Sequence, residues 1–337
     1  MLNTKDKIDI SYLAKTLGLA NSTVSKALND RPGASAATKE KVEKLVRKLN
    51  YTPNHFAKAL KMNRSNLIAF VMPEMGCEFF TDIAKSIMQE SKRQDYHAIF
   101  TSSENSPEEE IAIIKDIFNR HIDGLIVMPC VGCLSAELKE VLEHRPCVII
   151  DNYIREINVP FVGTDFEEGI YLATRSLIEN GHRETGLILG PRDLYSTAER
   201  FDGYKKALEA GNCKMNNAHV KYGPYTSASG KDNAKQLLTQ FPEITALLCS
   251  NIELAKGAAQ GIAELGLKIP ENISLIGFGG RSFTAVDQKN EEIGQIAAQT
   301  LFRIIDGEQI NTKIIVKPEI VDRNTVRNLR QTEKDMN

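Results

Sequence analysis

No stretch of these 337 residues is long and apolar enough to cross a bilayer, and the opening "MLNTKDKIDI" lacks the apolar segment of a secretion signal. A cytoplasmic chain with no membrane partner is therefore expected. Cysteine is sparse: positions 77, 130, 133, 147, 213 and 249 are scattered through apolar segments, which points to reduced thiols rather than disulfides. "CVGC", Cys130 to Cys133, has zinc or redox spacing, but no second ligand pair lies nearby, and thiols at a strand-to-loop junction are the plainer reading. Catalytic signatures are missing as well. No G-x-G-x-x-G or G-x-x-x-x-G-K-S/T follows an apolar run, "GFGG" at 277 to 280 is a weak glycine signal, and no nucleophile motif occurs. Neither an enzyme nor a bound cofactor or metal is expected. His182 in "NGHRE" ends a helical run, where such a side chain satisfies terminal carbonyls, so it reads as structural.

What is present divides unevenly. The chain is long enough for two or three domains, with 42% hydrophobic residues to fill them. Residues 1 to 65 hold 13 Lys+Arg against 5 Asp+Glu, while the remainder holds 29 against 39, so a small net charge hides a basic head. Such a head suits a polyanion, or is simply a solvated helical face.

Local pattern separates those alternatives. In "ISYLAKTL", Ile10, Leu13, Ala14 and Leu17 recur at helical spacing, and Gly18 can take the left-handed turn that stops the helix. Leu19 plugs the corner, Asn21 is placed to cap a second helix, and Val24, Ala27 and Leu28 face inward. "SAATKEKVEKLVRKL" then supplies Val42, Leu45, Val46 and Leu49 as a third wall, completing a helix-turn-helix unit. Ser22 and Lys26 lie four apart on the open face of the second helix, with Asn21 and Ser25 beside them. Small polar side chains with one lysine can enter a major groove and reach base edges and phosphates. After Pro53, "YTPNHFAKALK" is a helical stretch too short to hold in water without a partner.

From residue 66 the texture changes. "NLIAFVMP", "HAIFTSS", "GLIVMP", "CVIID", "TGLILG", "ALLCSN" and "SLIGF" read as buried strands, alternating with amphipathic helices such as "FFTDIAKSIMQESKRQ" and "EEIAIIKDIFNRH". That alternation means parallel α/β layers, and the number of strands is too large for one six-stranded sheet. Two similar lobes with a cleft at the strand carboxyl ends are expected.

The sequence resembles the lactose/galactose repressor (LacI/GalR) family of bacterial transcription regulators, from "IDISYLAKTLGLANSTVSKALN" through "YTPNHFAKALKMNRSNLIAFVMPE" to "PENISLIGFGG". The resemblance implies a helix-turn-helix headpiece over 1–50, a hinge helix and linker over 51–65, and an effector-binding and dimerisation core over 66–337. The core would be two Rossmann-like parallel-sheet lobes of the periplasmic sugar-binding type, lobe one about 66–161 and 293–318, lobe two about 162–292 and 319–330. It implies base or phosphate contacts for Asn21, Ser22, Thr23, Ser25, Lys26 and Asn29. Family hinge helices pair across a homodimer and push a leucine into the minor groove, a role that falls to Leu60, with Ala57 allowing close approach and Asn54 and Lys58 near the backbone. Ala20 departs from the family's capping serine.

For the cleft, the matched positions are Phe79, Phe80, Asp151, Asn152, Arg200, Tyr225, Asn251, Phe278 and Arg281, with Asp165 in "VGTD" nearby. Two departures stand out: Asn251-Ile252 replaces the family's Asn-Asp, and Gly277-Phe278-Gly279-Gly280 replaces its G-F/Y-D-D. A carboxylate that commonly accepts ligand hydroxyls is thus absent at Gly279, while Arg200, Arg281 and Arg192 supply cations. The effector expectation is a sugar, sugar phosphate or sugar acid, with the balance toward an anionic one. The implied function is a repressor of carbohydrate-related genes that binds a palindromic operator as a homodimer, regulated by that metabolite. A sugar-binding transport receptor shares the lobes but not the basic head, and an enzyme on the same scaffold lacks a catalytic motif.

Overall fold

Asp9 starts the first helix: its side chain accepts the Tyr12 N–H at 2.8 Å, and Gly18 ends the element in the left-handed region at φ 63°. The structure, a computed structural model, describes residues 9–30, 32–51, 64–76, 78–130, 136–154 and 157–330. It divides into two compact units, 1–65 and 66–337. In the first, α1 (Ile10–Leu17), α2 (Asn21–Leu28) and α3 (Ala36–Leu49) enclose Leu13, Ala14, Val24, Ala27 and Val42. Leu28, Leu45, Val46 and Leu49 pack at the edges of this core. Each buried leucine or valine contributes about 1.5–3 kcal/mol to holding so small a unit together.

The second unit carries two sheets. Lobe one opens with β1 (Leu67–Met72), α4 (Glu78–Arg93), β2 (His97–Ser102), α5 (Pro107–Asn119), β3 (Gly124–Val127), α6 (Ala136–Glu143), β4 (Cys147–Ile150) and β5 (Phe161–Thr164). The chain then crosses to lobe two, which holds α7 (Phe166–Glu179), β6 (Thr185–Leu189), α8 (Tyr195–Ala210), β7 (Val220–Tyr222), α9 (Ser227–Gln240), β8 (Ala246–Cys249), α10 (Ile252–Glu264), β9 (Ser274–Phe278) and β10 (Thr284–Asp287). It returns for α11 (Asn290–Ile305) and β11 (Lys313–Val316), and crosses a third time to β12 (Glu319–Val321).

Sheet one runs β11-β5-β4-β3-β1-β2, all parallel; sheet two runs β12-β10-β9-β8-β6-β7, parallel except for β12. Central strands are buried along their length because helices cover both faces. Lobe one ends its first pass at Thr164 and not near 161, because β5 pairs with β4 and β11 inside sheet one. Its second pass begins at Asn290 with α11, which packs on α4.

His182 is structural, but not as a helix cap. Its ring is fully buried, 2.8 Å from Thr245 Oγ1, 2.9 Å from Ser274 Oγ and 3.1 Å from the Arg327 carbonyl, so it ties the C-terminal segment to sheet two. Burial lowers its pKa to about 4. The expected carbonyl partners at the end of α7 are met by backbone N–H groups, including that of His182 itself to Leu177.

Candidate nucleic-acid face and ligand cleft

Along α2, Asn21, Ser22, Lys26 and Asn29 are exposed, and Thr23 and Ser25 are half-buried. The N-cap is Ala20, in extended conformation with no side-chain hydrogen bond, rather than Asn21. Asn21 already has helical backbone, and its Nδ2 instead donates to Ser11 Oγ on α1 at 3.2 Å. Asn29 Nδ2 donates to the Ser25 carbonyl at 2.8 Å, closing the last turn. The face that remains carries short hydroxyls, amides and one lysine, free of bulk and of carboxylates. Asn54, Ala57, Lys58 and Leu60 lie outside the described residues.

Between the lobes of the second unit is a cleft of about 360 Å³. Strand ends build it: Pro73 after β1, Met128 to Cys130 after β3, Asp151 and Asn152 after β4, Ser250 and Asn251 after β8, and Phe278 to Gly280 at the end of β9. Phe79, Phe80, Asp151, Asn152, Arg200, Tyr225, Asn251 and Phe278 all line it. Arg281 does not. Its Nη2 donates to Asp82 Oδ1 on α4 at 2.9 Å, joining the two lobes, because the positive-φ pair Gly279 and Gly280 turns the chain before it. Arg192 is also elsewhere, stacked on Tyr222 with its guanidinium carbon 3.9 Å from the ring centroid. Asp165 caps α7 by accepting the Glu168 N–H at 2.9 Å. Of the three arginines in the anionic argument, only Arg200 reaches the cleft.

Arg200 is buried, its guanidinium carbon 4.0 Å from the Phe166 centroid and 4.9 Å from that of Phe278. Aromatic rings therefore lie against the charge, leaving the planar edge to hydrogen-bond. Nη1 donates to the Tyr225 hydroxyl at 3.2 Å; Nε has no partner. Asp151 sits at φ 64°, and burial pushes its carboxyl up to about 6 against the opposing pull of Arg200. Asn152 donates to the Pro129 carbonyl, and Asn251 Oδ1 caps α10. Both asparagines thus hold the cleft's walls in place as well as lining it.

Ser196, Ser250 and Gln288 also line the cleft, none of them singled out from the sequence. Ser250 Oγ and Gln288 Oε1 are buried without partners, like Arg200 Nε. An orphaned buried polar atom is costly, and three around one cavity suit a ligand that supplies both donor and acceptor groups. Cys130 also lines the cleft; its N–H donates to the buried Glu110 carboxylate at 2.7 Å, and burial, then Glu110, push the thiol up to about 11. It stays a thiol. Cys133 lies outside the described residues, and among the described residues no His, Cys, Asp and Glu cluster could hold a metal.

Comparison with known proteins agrees with both halves. The pattern of bacterial regulatory proteins of the lacI family matches residues 10–54, and that of a periplasmic binding protein-like domain matches 174–326. The HTH-type transcriptional repressor PurR of Vibrio atlanticus (strain LGP32) is 30% identical over 332 residues, covering 95% of this chain and 99% of that protein. Catabolite control protein A of Priestia megaterium is 25% identical over 326 residues, covering 94% and 98%. Among solved structures, the lac repressor dimer bound to operator and the anti-inducer ONPF superposes with a TM-score of 0.84 at 21% identity, covering 96% of this chain and all of that one. A transcriptional regulator CelR–cellobiose complex gives 0.71 at 23%, covering 95% and 100%. With near-complete coverage at 30% identity, an open polar face on the second helix and a two-lobed core around a cleft, the chain belongs to the lacI family of bacterial regulatory proteins: it is a DNA-binding transcriptional repressor with an effector-binding core, not an enzyme.

Proposed function

We propose that two copies of this chain bind a palindromic operator in the cytoplasm through α2, repressing carbohydrate-related genes, and that a small sugar derivative between the core lobes sets operator affinity. Residues 1–50 act as the headpiece, 51–65 as the hinge and 66–337 as the regulatory and dimerising core. Asn21, Ser22, Thr23, Ser25, Lys26 and Asn29 contact bases and phosphates; Leu60 wedges the minor groove, with Asn54, Ala57 and Lys58 around it. The observation that carries the effector half is the edge of Arg200, buried against Phe166 and Phe278 with Nε unpartnered. It suits a ligand acceptor, whether a hydroxyl or carbonyl of a neutral sugar or the anion of a sugar phosphate or sugar acid. A ligand that prefers one lobe arrangement then changes DNA affinity, and DNA changes ligand affinity by the same factor.

Operator selection from a random duplex pool, followed by titration at several salt concentrations, tests the reading. Affinity should fall steeply with salt, Lys26→Ala should weaken binding with a shallower salt slope, and Ser22→Ala should change base preference. Leu60→Ala should reduce DNA bending and specific affinity while sparing non-specific binding. Arg200→Ala should keep operator binding and lose the metabolite response. A chain lacking residues 1–65 that bound the selected operator as well as the full chain would sink the assignment.

A further inference from the structure

Glu110 is a buried carboxylate in the first turn of α5, outside the lining of the cleft. Among the described residues no cation pairs with it. Burial raises its pKa, opposed by the hydrogen bonds it takes from Cys130. The N-terminal turn of α5 offsets part of the cost of burying such a group, but an apolar side chain of similar size would carry no such cost at all. What the carboxylate gains is a bond to the cleft wall: Oε2 accepts the Cys130 N–H at 2.7 Å.

That bond falls where the sheet stops holding the chain. Met128, just past β3, still donates its N–H to the Val71 carbonyl of β1. Pro129 has no N–H to give, so Cys130 is the next donor, and it turns to α5. On the other side, Asn152 Nδ2 at the end of β4 donates to the Pro129 carbonyl at 2.8 Å. Met128, Pro129, Cys130 and Asn152 all line the cleft. The wall is thus pinned from beneath by Glu110, and the Asn152 amide depends on the pinned segment for its partner. Resting on the reading of this cleft as the effector site, we propose that Glu110 is a positioning residue for effector binding: it fixes Pro129 and Cys130, and Pro129 in turn fixes the Asn152 side chain that meets the effector.

Two variants separate the bond from the bulk of the side chain. Glu110→Gln keeps an acceptor oxygen, whereas Glu110→Met keeps the volume and loses the acceptor. Glu110→Asp, one methylene shorter, replaces the methionine variant if that one unfolds. Hydrogen exchange of the ligand-free full chain, resolved to single amides, reads the anchor. The Cys130 N–H should exchange about tenfold or more faster in Glu110→Met and stay within about threefold of wild type in Glu110→Gln. Calorimetric titration with galactose, glucose 6-phosphate and gluconate reads the cleft. Each probe that binds should bind about tenfold more weakly to Glu110→Met, with most of the loss recovered in Glu110→Gln. In an Asn152→Ala background the Glu110→Met loss should shrink to about threefold or less, because the path runs through Asn152. Unchanged Cys130 exchange in Glu110→Met, unchanged affinity in that variant, or an equal loss with and without Asn152 overturns the proposal. Binding that survives Arg200→Ala undiminished counts against the cleft reading instead. Where none of the three probes binds, exchange decides: equal rates refute the anchor, and a tenfold difference confined to Glu110→Met upholds it.

Discussion

Asp151 and His182 titrate in overlapping ranges with opposite consequences. Burial holds the His182 ring at a pKa of about 4, against 6.5 when free, so between those values the unfolded chain binds a proton that the native fold refuses. Stability is complete above pH 6.5 and declines as pH falls toward 4, by about 3 kcal/mol at most. Asp151 moves the other way. Its folded value of about 6, against 3.8, means the native state favours the protonated acid, so stability falls as pH rises through that interval and the cost, about 2–3 kcal/mol, is fully present at neutral pH. Asp151→Asn should therefore raise the neutral-pH urea midpoint of the ligand-free chain, since asparagine tolerates the φ of 64° and carries no charge to desolvate. His182→Asn should flatten the acid-side loss even if it lowers stability overall. Measuring urea midpoints at about pH 5 and about pH 7.5 checks both, and an unaltered acid slope in His182→Asn would refute the first account.

At the scale of elements, α2 shows how a correct helix can be read with a wrong cap. The spacing of Val24, Ala27 and Leu28 located the helix, but the cap depends on which residue is last to keep extended backbone, and that is Ala20 at φ −69°, ψ 146°. Ala20→Ser should supply the missing acceptor and stabilise the headpiece by about 1 kcal/mol, seen as roughly fivefold greater hydrogen-exchange protection of the α2 amides. No added protection would mean that the Asn21 bond to Ser11 already does the work of a cap. The same limit applies to strands. β1, β3, β4, β6, β8 and β9 were legible as unbroken apolar runs because both of their faces are covered; β2, read from "HAIFTSS" as equally buried, is instead a sheet edge with His97 exposed and Ile99 41% exposed. β7, β11 and β12 lie at sheet edges, are three or four residues long and expose part of their side chains, so nothing in "VKY", "KIIV" or "EIV" marks them out. β5 and β10 are buried, yet "FVGT" and "TAVD" mix small and polar residues. Gln288, which follows β10, was missed with it. Ser196 and Ser250 have no local signal, since only the meeting of two lobes makes them lining residues.

For the whole molecule, the separation of Arg200 from Arg281 matters most. Arg200 was expected at the ligand from the match of "ERFDGY", and Arg281 from its place just after the "GFGG" turn; tertiary direction separates them, because a one-dimensional motif does not record direction. Arg200 is enclosed by rings inside the cleft, whereas Arg281 is 66% exposed and spans from lobe two to Asp82 of lobe one. Asp82 shares α4 with Phe79 and Phe80, and Arg281 follows Gly279 and Gly280, so this ion pair joins the two segments that bring walls to the cleft. An exposed pair contributes about 0.2–1 kcal/mol and weakens with salt. Arg281→Ala should therefore leave global stability nearly unchanged and keep the metabolite response that Arg200→Ala loses. It should shift operator affinity by no more than about fivefold at low salt, through the lobe equilibrium to which both ligands are linked. Asp82→Arg combined with Arg281→Asp should restore the wild-type isotherm. Titrating the selected operator at low and high salt with both variants decides it: a shift in Arg281→Ala that persisted at high salt, or that the charge reversal failed to repair, would show that Arg281 acts by some route other than Asp82.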